Sequence, residues 1–62
     1  MKKIKRVLRV WRVDPYVFVQ AVDEDGQTVR LRAEMKNVDF GSINESYVNR
    51  KLTEFSLVLN EG

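Results

Sequence analysis

Residues 16–34 carry the most regular alternation of apolar and polar side chains in the sequence. Tyr16 to Val22 is rich in β-branched and aromatic residues, and Thr28 to Glu34 alternates polar and apolar positions without a break. The turn sequence Asp23-Glu24-Asp25-Gly26 separates the two runs, and Gly26 can adopt the positive φ that closes a three-residue loop. The pattern predicts two antiparallel strands joined as a hairpin.

The register of this hairpin follows from its two faces. With Asp23 opposite Gln27, one face is entirely apolar and contains Val17, Val19, Ala21, Val29, Leu31 and Ala33. The opposite face then contains Tyr16, Phe18, Gln20, Val22, Thr28, Arg30, Arg32 and Glu34. A shift by one residue would set valines against arginines and mix both faces, so we expect the first register.

Residues 3–13 fit two different elements. Ile4, Val7, Leu8 and Trp11 follow the spacing of an amphipathic helix, with the basic residues on the other side. The β-branched residues, the absence of a capping residue and the abrupt end at Asp14-Pro15 favour a strand instead. As a strand the alternation fails once, at Val7-Leu8, and a β-bulge there would restore it and bend the strand.

The last third of the chain predicts a helix followed by a strand. Ser42-Ile43-Asn44-Glu45 matches a capping box, in which Ser42 caps the first turn and Glu45 reaches back to it. The helix should cover residues 43–51 and pack through an apolar stripe made of Ile43, Tyr47, Val48 and Leu52. A final strand should follow, in which Phe55, Leu57 and Leu59 alternate with Glu54, Ser56 and Asn60.

The predicted order is therefore strand, strand, strand, helix, strand. In a chain of 62 residues this indicates one small, mainly β domain covering residues 1–62. We expect either a strongly bent antiparallel sheet or a partly open barrel of SH3-like or OB-like architecture, with one short helix before the last strand.

Two absent residue types limit the chemistry of the chain. Without cysteine there is no disulfide framework or thiolate catalysis, and without histidine the commonest general base and transition-metal ligand are missing. The serines have no histidine to activate them, and no glycine-rich phosphate loop occurs. The acidic turn has its glycine fourth rather than sixth, which does not suit a calcium loop. We expect no enzymatic activity, no cofactor and no metal.

Positive charge is concentrated at the start of the chain. Eleven lysines and arginines face nine acids overall. Residues 1–13 contain six of those basic residues and no acid, whereas the rest of the chain is mildly acidic. A basic segment on an acidic body is typical of proteins that meet a polyanion or an acidic protein surface.

The polar face of the hairpin and the basic segment together predict a nucleic-acid-binding surface. Aromatic rings flanked by guanidinium groups can stack unpaired bases while positive charge meets phosphates, which favours single-stranded DNA or RNA. The expected platform is Tyr16, Phe18, Arg30 and Arg32, extended by Trp11. The expected phosphate contacts are Lys3, Lys5, Arg6, Arg9 and Arg12.

Other interpretations of the same residues remain open. Tyr16 and Phe18 could instead pack beneath the first strand or the helix, with arginine stems over them. The basic segment could protect a solvated edge strand, dock on an acidic protein as an inhibitor or adaptor, or lie on an anionic membrane if it is helical. We expect a cytoplasmic location, because arginines interrupt any apolar run that could serve as a signal peptide, and we expect no membrane partner. A homodimer could form if two first strands or two last strands pair with each other.

Overall fold

The computed structural model describes residues 3–58, which form one four-stranded antiparallel sheet with a short helix packed on one face. The strands are β1 (Ile4–Val13), β2 (Tyr16–Asp23), β3 (Thr28–Glu34) and β4 (Ser56–Val58), and they lie side by side in chain order. The connection from β3 to β4 contains the helix α1 (Glu45–Arg50) and three 3₁₀ turns, Met35–Asn37, Phe40–Ser42 and Leu52–Glu54.

This architecture confirms the predicted mainly β fold with one short helix before the last strand. Of the two predicted arrangements, the open sheet is the one formed. β1 and β4 lie at opposite edges and are not hydrogen-bonded to each other, so the strands do not close into a barrel. No helix within residues 3–58 is long and apolar enough to cross a membrane.

The central hairpin has the register that its two faces predict. Tyr16 lies opposite Glu34, and the pairing continues without a shift to Val22 opposite Thr28. Gly26 has a φ of 83°, and the amide of Asp23 donates to the carbonyl of Gln27 at 2.9 Å. The Asp23 carboxylate is buried and accepts hydrogen bonds from two amides of its own turn, which confirms that this acidic sequence serves as a turn.

The first segment is a strand with two bulges, so the helical interpretation of residues 3–13 is wrong. Its pairing with β2 skips one residue at Leu8, as the pattern predicts, and a second at Lys5, which the pattern did not show. At each bulge two consecutive residues of β1 stand opposite one residue of β2, so the alternation between the two faces is delayed by one residue. Ile4, Val7 and Val10 therefore all turn towards the core at a spacing of three, and this spacing is what imitates a helix.

The core lies between one face of the sheet and α1. Its fully buried members on the sheet are Val17, Val19, Ala21 and Leu31, and α1 adds Val48. Tyr47 and Phe55 complete this layer, while Ile43 and Leu52 pack at its margin, as the predicted apolar stripe requires.

The start of α1 differs from the predicted capping box. Asn44, not Ser42, is the N-cap, because its side-chain oxygen accepts from the amide of Tyr47 at 2.9 Å. The Ser42 hydroxyl donates to Asp39 in the preceding 3₁₀ turn, so it is already engaged there. The helix accordingly covers Glu45–Arg50 rather than 43–51.

Two polar side chains of α1 hold the free edge of β1. The side chain of Asn49 accepts from the Ile4 amide at 2.8 Å and donates to the Ile4 carbonyl at 2.9 Å. Glu45 accepts from the Val7 amide at 3.2 Å instead of reaching back to cap the helix. These contacts occupy edge groups at the start of β1, so any pairing of two first strands would have to use its second half.

Within the described residues, the predicted last strand is present as β4, which begins at Ser56. β4 pairs with β3 over three residues, with Leu57 opposite Leu31. Phe55 is buried just before it, whereas Leu57 is 56% exposed at the edge of the sheet. The predicted positions Leu59 and Asn60 lie outside the described residues.

Candidate nucleic-acid interface

The face of the sheet turned away from α1, here called the outer face, carries most of the predicted site. Directly opposite residues of antiparallel strands share a face, so the register places its side chains in rows across the sheet. One row joins Trp11, Phe18, Arg32 and Ser56, and its neighbours are Arg9, Gln20, Arg30 and Val58 on one side and Val13, Tyr16 and Glu34 on the other. Arg6 and Val22 follow beyond Arg9.

An aromatic pair stands at the centre of the outer face. The rings of Trp11 and Phe18, which are cross-strand partners, are stacked with centroids 5.6 Å apart and planes 14° apart. The guanidinium carbon of Arg9 lies 4.9 Å from the Trp11 ring centroid, and that of Arg30 lies 5.8 Å away. Both distances are within the range of a cation–π contact.

A second ring and cation pair stands beside the first. The guanidinium carbon of Arg32 lies 4.7 Å from the ring centroid of Tyr16. The bulged β1 lies beside Phe18 in the sheet rather than over it, and α1 packs on the opposite face. The rings of Trp11, Phe18 and Tyr16 are therefore half-buried next to one another and to arginine side chains, and they are not covered by β1 or α1.

Seven of the ten predicted site residues come together on the outer face: Arg6, Arg9, Trp11, Tyr16, Phe18, Arg30 and Arg32. Among the outer-face residues that the structure describes on the four strands, four are arginines and one, Glu34, is an acid. The face is thus strongly positive although the whole chain has a net charge of only +2.

Two of the other three predicted phosphate contacts, Arg12 and Lys3, lie elsewhere, and the third, Lys5, lies beside Arg6 at the first bulge. Arg12 is opposite the buried Val17, so its side chain leaves from the core side of the sheet. The carbonyl of Lys3 accepts from the amide of Glu24, which places Lys3 beside the acidic turn. Lys5 occupies the first bulge, where it lines an open depression of about 530 Å³ with Arg6 and Leu8. The basic segment therefore does not form one continuous phosphate track.

Arg12 is neutralised by a carboxylate two residues away. Its Nε donates to Asp14 Oδ1 at 2.7 Å, and a second guanidinium nitrogen donates to Oδ2 at 3.2 Å. This charged hydrogen bond lowers the pKa of the Asp14 carboxyl and raises the pKa of the Arg12 guanidinium. Arg12 is consequently a poor candidate for binding phosphate.

We expect Arg12→Gln to raise the pKa of Asp14 back to the ordinary range for aspartate. Because the pKa of Asp14 is lowered by folding, the pair stabilises the native state at neutral pH, and this contribution is lost as pH falls through the lowered pKa. Carboxyl chemical shifts followed by NMR during an acid titration measure the change. An unaltered Asp14 titration in the variant would contradict the pairing.

Sequence reasoning missed several neighbours of the site. Val13, which is 52% exposed, joins the outer face opposite Tyr16, and Ser56 joins it opposite Arg32. Ser56 could not be assigned because no short turn joins β4 to β3, and Val13 was missed because residues 3–13 fitted either a helix or a strand, although the short turn at Asp14-Pro15 sets it opposite Tyr16. Within residues 3–58 no three acidic, histidine or cysteine side chains group closely enough to hold a metal ion.

Comparisons with known proteins supply no family for this chain. No protein-family model, no curated protein and no solved structure matches it significantly.

Proposed function

We propose that the protein is a small nucleic-acid-binding domain that takes single-stranded DNA or RNA on its outer face. The observation that supports this most is the stacked pair of Trp11 and Phe18 between arginines, on the face of the sheet opposite α1. Stacking on aromatic side chains stabilises an unpaired base by about 1–3 kcal/mol with little dependence on its identity.

In this proposal the arginines of the outer face bind the phosphates of the strand. A guanidinium over a ring is held by about 0.5–1 kcal/mol at an exposed site, so a phosphate can draw it away at little cost. The ring that it leaves then becomes free to stack a base. Arg9, Arg30 and Arg32 are placed for this exchange, and Arg6 extends the positive charge along β1.

A fluorescence titration of Trp11, the single tryptophan, tests the proposal directly. We expect saturable quenching by single-stranded RNA and DNA, and weaker binding to duplex DNA, whose bases are already stacked. If the four outer-face arginines each neutralise one phosphate, log K should fall with log salt concentration with a slope of about −3, at about −0.7 per phosphate on a single strand.

The outcome also separates this proposal from its rival. A protein-interaction module, such as an inhibitor or adaptor on an acidic surface, is supported by the Trp, Tyr and Arg composition of the face, which is typical of protein hot spots. Absence of quenching by any nucleic acid at low salt would contradict the first proposal. Recovery of a partner from nuclease-treated lysate through the same face would then favour the second.

A further inference from the structure

One corner of the outer face is hollowed into a cleft of about 260 Å³, here called the corner cleft. Tyr16 and Arg32 form its inner side, and Glu34 and Ser56 lie next to them as their cross-strand partners. Ala33, Asn37 from the first 3₁₀ turn and Glu54 from the last complete its lining. The cleft is smaller than the roughly 300–1,000 Å³ typical of sites for drug-sized ligands, so it suits a single planar ring system.

The corner cleft carries two carboxylates, Glu34 and Glu54, beside the guanidinium of Arg32. A carboxylate accepts only, and the hydroxyl and amide beside it add donors and acceptors. The two carboxylates repel a phosphate, while the nearby guanidinium of Arg32 repels a simple cation. A neutral ring with several N–H groups on one edge is repelled neither by the carboxylates nor by the guanidinium. The Arg32 guanidinium lies over the Tyr16 ring at 4.7 Å, and once a phosphate outside the cleft draws it away, the flat face of Tyr16 is free for such a ring to stack on.

We propose that the corner cleft holds one unpaired guanine base of the bound strand, with Glu34 as the residue that determines its identity. Guanine presents its ring N1–H and its exocyclic amino group side by side, and these two donors match the two oxygens of one carboxylate. Uracil and thymine place carbonyl oxygens beside their single N–H, which a carboxylate disfavours. This inference rests on the proposed function, because it assigns one base position within the same face.

Glu34 is favoured over Glu54 for this role by its position. Glu34 stands on the outer face directly opposite Tyr16, so its carboxylate lies beside the stacking ring. Glu54 lies at the outer wall, where its carboxylate is 4.0 Å from the ammonium group of Lys51. A base stacked on Tyr16 therefore meets Glu34 first.

Fluorescence anisotropy with labelled five-nucleotide RNAs tests the assignment. The three probes consist of uridines with guanosine, inosine or uridine at the centre, and inosine differs from guanosine only in lacking the amino group. We expect the guanosine probe to bind about tenfold more tightly than the other two, within the range given by one good bidentate base contact. Glu34→Gln should remove this preference while leaving uridine binding intact.

A matched control and the possible outcomes keep this test separate from the proposed function. Glu24→Gln removes the same charge at the hairpin turn and should retain the guanosine preference.

Equal affinities for all three probes would overturn the guanine assignment but leave the proposed function standing. Loss of the preference in Glu54→Gln and not in Glu34→Gln would overturn the role of Glu34. Absence of binding by every probe would contradict both proposals. Circular dichroism confirms that each variant is folded.

Discussion

The double variant Phe18→Leu, Arg32→Gln is expected to bind single-stranded nucleic acid about 10- to 100-fold more weakly than the natural sequence. It removes one ring of the central stack, worth about 1–3 kcal/mol per stacked base, together with one guanidinium. Leucine keeps apolar contact with Trp11, and glutamine keeps two methylene groups of the arginine stem and a neutral polar end, so the sheet should remain intact. Anisotropy of a labelled oligonucleotide measures the affinity, because it does not depend on the fluorescence of Trp11.

The helix layer offers a matched control for this change. Arg50 lies over the ring of Tyr47 at 5.6 Å, which repeats the pairing of Arg32 with Tyr16 away from the outer face. Arg50→Gln removes the same charge from a similar cation–π contact and should change affinity by less than about threefold, as expected when only long-range charge is lost. Equal weakening by Arg50→Gln and Arg32→Gln would show that total charge, and not the outer face, governs binding.

Replacement of Leu31 by alanine is the largest expected effect on stability. Leu31 has no exposed surface and lies in the middle of the central strand β3, where it contributes to the core beneath α1. Truncation of a buried leucine lowers the free energy of unfolding by about 2–5 kcal/mol. A domain of this length has a total stability on the order of 3–9 kcal/mol, so much of the variant should be unfolded. Urea denaturation followed by circular dichroism provides the measurement.

The cross-strand partner of Leu31 is its natural control. Leu57 faces it from β4 but is 56% exposed, so Leu57→Ala should change the unfolding free energy by less than about 0.5 kcal/mol. A similar loss in both variants would mean that Leu57 is covered in solution. If that loss also grew with protein concentration, a second copy of the chain pairing along β4 would be the cause.

The two largest expected effects fall on opposite faces of the same hairpin. Each strand of the hairpin sends alternate side chains to the core and to the outer face, so Leu31 lies between the two arginines Arg30 and Arg32. Stability and the proposed binding thus depend on different residues of one strand. This separation is why outer-face variants can be tested for binding without unfolding the protein.

The hairpin was predictable in register because its signals are local. A short turn fixes which residues face each other, and Gly26 supplies the positive φ that the turn needs. The alternation of Thr28 to Glu34 then assigns every side chain to a face. The platform residues Tyr16, Phe18, Arg30 and Arg32 could be named for the same reason, since they belong to this one local unit.

The first strand was harder because its bulges hide its period. The two extra residues, Lys5 and Leu8, increase the spacing of the core-facing residues from two to three. The bulge at Leu8 shows in the sequence pattern, whereas the bulge at Lys5 does not. The position of Trp11 beside Phe18 is set by the unbroken pairing from the turn at Asp14-Pro15, but it follows only once the segment is known to be a strand. The capping box failed for a related reason, because Ser42 and Glu45 have tertiary or turn partners that compete with the helix end.

The sequence by itself therefore determined the mainly β order of elements, the central hairpin and its two faces, because alternation and turn chemistry act between near neighbours. Only the tertiary structure decided that the sheet stays open, that Lys3 lies beside the acidic turn, and that Glu34, Asn37 and Glu54 line one cleft. These features depend on contacts between residues distant in the chain. The ion pair of Arg12 with Asp14 and the stacking of Trp11 on Phe18 are contacts between near neighbours, and they were missed because residues 3–13 fitted both a helix and a strand.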